Sequence, residues 1–160
     1  MAIADREGVR QFHIMRESVF NSLSIPRHDD TPLFAEGNSI VASVEVPTET
    51  LATVLSKAAS QGSFSNPYLK MDTRGYDFAI VAHCPEVLQT FIGVQTEVAI
   101  KKLYRESADF TQLMEWYVSH GFDVSAIVPN NSGHFPLLVE SDCIFIRRQM
   151  VPSTGHCGVS

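Results

Sequence analysis

Long apolar runs are missing from this chain, and none approaches the roughly 20 residues that a spanning helix needs. Positive charge is also short: 12 Lys and Arg stand against 18 Asp and Glu, for a formal charge of −6. Nucleic-acid binding is driven mainly by cations that neutralise phosphates, so this balance argues against such a partner, and charge alone names no other. Cysteine is sparse. Cys84, Cys143 and Cys157 form an odd set without CxxC spacing, which suggests neither a disulfide framework nor a zinc ribbon. The N-terminus lacks the charged-then-apolar pattern of a secretory leader. The expectation is a reduced, soluble, cytoplasmic protein without a membrane, metal or cofactor. Walker A, GxGxxG, HExxH, EF-hand and GxSxG patterns do not occur.

What is present is the composition of a packed globule, 44% apolar over 160 residues, which fits one α+β domain spanning 1–160. The organising stretch is 39–105. Ser39–Val46 is β-branched and alternates like a strand. Pro47-Thr48-Glu49 reads as a helix start, with Leu51, Val54, Leu55 and Ala58 as the buried stripe and Gly62 as a left-handed stop. Residues 66–72 and 76–83 read as two strands joined through Gly75. A short helix over 85–92 and a strand from Val94 to about Tyr104 follow. The order strand, helix, strand, strand, helix, strand is that of a ferredoxin-like βαββαβ core.

Two additions flank this core. Val9, Phe12, Val19, Phe20 and Leu23 share one helical arc, which predicts an N-terminal helix over 5–23. Ser24–Asn38, with two prolines, reads as a loop. At the other end, Asp109-Phe-Thr-Gln112 has capping-box spacing before a stripe of Phe110, Leu113, Met114 and Tyr117, and Gly121 ends that helix. Trp116 lies off the stripe, so it either packs under a neighbour or anchors a partner. Phe122–Val128 and Leu137–Met150 then form a C-terminal β-hairpin around a turn-rich connection.

The octet Arg74-Gly-Tyr-Asp-Phe-Ala-Ile-Val81 resembles the RNP1 sequence of the RNA-recognition motif family. The resemblance implies that Tyr76 and Phe78 stack on bases of single-stranded RNA and that Arg74 meets phosphate, making these three the ligand-binding candidates. Asp77, Ala79 and Val81 depart from the pattern, and the first strand offers no partner aromatic. The alternative puts Tyr76, Phe78, Ile80 and Ala82 inward as core. It is the preferred reading, because the opposite assignment would bury Asp77 without a partner.

Catalytic candidates are Glu45, His83 and His134, which with Arg74 could line a small-ligand site between subunits. His83 is a poor base for the adjacent Cys84, because neighbouring strand residues point to opposite faces. The leading expectation is a small acidic binding or regulatory protein acting through a protein partner or homo-oligomerisation, a module of the kind that viruses and phages also encode. Val41, Ala79 and Val81, with Ala99 as a further candidate, are expected to form an open sheet face too apolar to stay wet.

Overall fold

A computed structural model describes residues 1–29, 32–129 and 136–150, except the side chain of Leu33. The architecture is mixed α+β with two sheets. The first sheet consists of β1 (Ala2–Ile3), β2 (Gly8–Met15) and β3 (Ile40–Glu49), in the order β1-β3-β2. β2 and β3 run antiparallel from Gly8 opposite Thr48 to Met15 opposite Ile40, with a register shift between Ile14 and Met15. β1 pairs with β3 in parallel, and only at Thr48 and Glu49.

The second sheet holds β4 (Tyr68–Lys70), β5 (Gly93–Ala99), β6 (Phe122–Pro129) and β7 (Glu140–Arg147), in the order β4-β5-β7-β6. Alternation is clear along β5 and β7: Val94, Thr96 and Val98, with Ser141, Cys143 and Phe145, are buried on one face. Two helices contribute to the core on that side, α2 (Asp77–His83) through Ile80 and Val81 and α3 (Phe110–Ser119) through Leu113 and Tyr117. The Tyr117 ring stacks on Phe145 at 4.3 Å and meets Phe122 edge-on at 6.0 Å. Leu51 of α1 (Leu51–Gln61) joins the same core, while Met15, Phe20, Leu103, Tyr104 and Val139 form a second, smaller one.

Several local signals act as expected. The Asp109 carboxylate accepts the Gln112 amide at 2.8 Å, and Gly121 takes a left-handed φ of 87° after α3. α1 starts later than its sequence suggests. β3 runs on through Thr48 and Glu49, and Thr50 accepts the Thr53 amide at 3.2 Å as the cap. Gly62 ends α1 in extended rather than left-handed backbone, with φ at 175°. The C-terminal strand is confined to 140–147, and residues 85–90 form a 3-10 segment.

Two expectations are overturned. Residues 8–15 form a strand, not part of a helix over 5–23, because Phe12 and Ile14 find cross-strand partners in Val44 and Ala42. Residues 77–83 form α2, not a strand. Asp77, Ile80, Val81 and Cys84 are all buried, which is the i, i+3, i+4, i+7 face of a helix. The expected ferredoxin-like order therefore breaks at its third strand, and β3 and β5 lie in different sheets.

Candidate functional site

The turn before α2 brings Arg74 together with three carboxylates. Arg74 and Gly75 both adopt positive φ, 51° and 82°. A Cβ on Gly75 would come within 2.6 Å of both Ser107 Oγ and Tyr104 Cδ2, so only glycine fits there. Arg74 has no such excuse, and its left-handed backbone is strained. The Ser22 hydroxyl fixes the turn by donating to the carbonyls of Thr73 at 3.2 Å and Arg74 at 2.6 Å.

This conformation sets the Arg74 guanidinium 2.8 Å from Glu97 and 3.6 Å from Glu140, with Asp72 at 3.7 Å. Glu97 and Glu140 have nearly buried side chains, and one arginine serves both. Both carboxyls are pushed well above the ordinary carboxylate range. Burial is the main cause, neighbouring carboxylates add to it, and Arg74 opposes it. Asp77 is buried beside them. It accepts hydrogen bonds from the Thr73 amide and hydroxyl, the Thr96 hydroxyl at 2.9 Å and the Glu97 amide at 3.2 Å. Burial nevertheless pushes its pKa up against those bonds.

The cavity lined by Gly75, Asp77, Glu97, Ser107 and Glu140 is about 20 Å³, room for a water and not for a substrate. Among the described residues no group of three His, Cys, Asp or Glu is placed to hold a metal ion, and no helix is long and apolar enough to cross a membrane.

A second feature has the opposite character. On one face of the β2–β3 ribbon, Phe12 and Ile14 oppose Val44 and Ala42, with Val46 next in line. None of these five packs against either core. Ile40 is 43% exposed, Val41 57% and Val44 44%. The outer edge of β3 meets β1 only at its last two residues, so from Ile40 to Pro47 no described strand covers it. His13 exchanges backbone bonds with Ser22 on the far side of β2. By alternation, Ser43 and Glu45 then turn their amides and carbonyls toward the open edge.

Compared with family models, curated proteins and solved structures, the chain matches none. Its own geometry therefore carries the functional reading.

The residues singled out from the sequence do not converge. Glu45 is exposed on the ribbon, where it accepts a 3.4 Å bond from Gln11. His83 is exposed at the end of α2, and His134 lies outside the described residues. Cys84 and Cys143 are buried free thiols whose pKa burial raises, the latter to about 11, which is not the state of a nucleophile. Cys157 lies outside the described residues.

Tyr76, Phe78 and Arg74 do not form a stacking platform. Tyr76 is buried, with its hydroxyl donating to Asp5 at 2.6 Å. Phe78 is in α2, edge-on to Trp116 at 5.5 Å. Trp116 is itself half-buried, 4.1 Å from the His120 ring. Of the expected open face, Val81 is in the core and Ala79 is partly buried; only Val41 is exposed, on the ribbon. Sequence reading missed Glu97 and Glu140, which look like ordinary outward residues of alternating strands. It also missed Arg10, whose Nη2 pairs with Asp5.

Proposed function

We propose that this chain is a binding protein that works through protein–protein contact along the β2–β3 ribbon, with a second copy of itself as the partner. The observation that carries this is a β3 edge without a described neighbour beside an apolar face packed on no core. Open edges of this kind template strand addition. An antiparallel pairing of two β3 edges about Ser43 sets Ala42 of one copy against Val44 of the other. It also joins the two apolar faces and keeps Glu45 from facing its own counterpart. Pro47, which has no amide, ends the pairing run.

Light scattering on an eluting sample over a range of concentrations is the test. The expected result is an assembly heavier than the 17.7 kDa of one chain, falling back to that mass on dilution or in Val44→Lys. Val44 is already exposed, so Lys there should leave the monomer folded. A monomer at every concentration, or an assembly indifferent to Val44→Lys, removes the proposal.

A further inference from the structure

A cleft of about 510 Å³ opens where β2 approaches α2, within the range of small-molecule sites. Its walls are apolar at Val9, Leu23, Ile25 and Ala79, and its polar groups are unevenly engaged. One oxygen of each carboxylate is engaged: Asp5 Oδ1 takes both Arg10 and the Tyr76 hydroxyl, and Glu106 Oε2 takes the Ile25 amide at 3.1 Å. Burial alone would raise the Asp5 pKa, but the Tyr76 and Arg10 contacts outweigh it and hold Asp5 as the anion. The donors are left over. Arg10 gives only Nη2 to Asp5 and lies 5.7 Å from the centre of the Tyr76 ring, and among the described residues its buried Nε has no hydrogen-bond partner. Arg6 is exposed, and among the described residues no acceptor bonds its guanidinium.

Guanidinium donors left unmatched on the wall of a cleft are the complement of an oxyanion, because such groups bind carboxylate and phosphate well. We infer that this cleft binds a small organic oxyanion, with the carboxylate or phosphate head on Arg6 and Arg10 and a short apolar body against Leu23, Ile25 and Ala79. The inference does not depend on self-association.

The test is amide NMR on the full chain titrated with phenyl phosphate, benzoate and, as the neutral control, benzyl alcohol. At least one of the two anions should bind saturably and shift the amides of Gln11, Tyr76 and Ala79. Benzyl alcohol should bind at least about tenfold more weakly. Arg6→Gln should weaken the anion by about tenfold or more, as expected for one lost charge-assisted contact. Among the described residues Arg6 makes no side-chain hydrogen bond, so this variant should fold, and an unchanged spectrum away from the cleft checks that it does. Absence of saturable binding by both anions, equal binding of benzyl alcohol, or full affinity in Arg6→Gln each overturns the inference.

Discussion

Glu97 and Glu140 show what one arginine can and cannot do at the scale of a residue. Arg74 pairs with Glu97 and Glu140 and has Asp72 beside the same guanidinium, while Asp77 acts on both glutamates, so each buried carboxylate raises the cost of ionising its neighbours. Folding raises both pKa values above the ordinary 4.5. The folded state therefore binds more protons than the unfolded chain. The contribution to stability is complete below about pH 4.5 and is lost as pH rises toward about 8. Glu140→Gln keeps the shape and the closer Arg74–Glu97 pair while removing one ionisation. It should match the parent near pH 5 and exceed it at pH 8 by about 1–2 kcal/mol. Denaturant melts of both proteins across that interval measure the difference, and a difference that does not change with pH would contradict this account.

Helix α3 is the element whose sequence and structure agree most closely, because its information is local. The Asp109 carboxylate caps an otherwise unpaired amide, and the Leu113 and Tyr117 stripe follows at helical spacing. Asp109→Ala should cost about 1 kcal/mol in urea unfolding, with the fold intact. No measurable loss would mean that the neighbouring Ser107 takes over the cap. β6 was legible for a similar reason, as an apolar run that follows the Gly121 helix stop.

β2 and α2 were illegible because their identities are settled by distant partners. Val9 and Phe12 fit a helical arc as well as a strand, and the choice falls to Val44 and Ala42, some thirty residues away in sequence. In α2, the neighbouring β-branched Ile80 and Val81 mimic a strand, and the obstacle to burying Asp77 is removed by donors from Thr73, Thr96 and Glu97. The same holds for the charged cluster. Arg74 stood out beside Gly75, but its carboxylate partners come from β5 and the start of β7, where nothing in the local pattern marks them.

For the whole molecule, the central contrast is between a well-buried second sheet and a ribbon that enters a core only at Met15. A two-stranded ribbon is marginal in water unless a third strand or a packed face supports it. β1 supplies that support only at Thr48 and Glu49, where burial also begins. Stability should therefore be uneven. In dilute solution the amides of Ser43 and Glu45 should exchange quickly while those of β5 and β7 stay protected. At concentrations that favour assembly, edge pairing gives the same two amides acceptors, and their exchange should slow by the factor the association constant dictates. In Val44→Lys they should stay fast at every concentration, with β5 and β7 unaffected. Slow exchange at Ser43 and Glu45 in a dilute monomer would mean that the edge is already covered within one chain. The ribbon would then be structural, with no binding surface to offer.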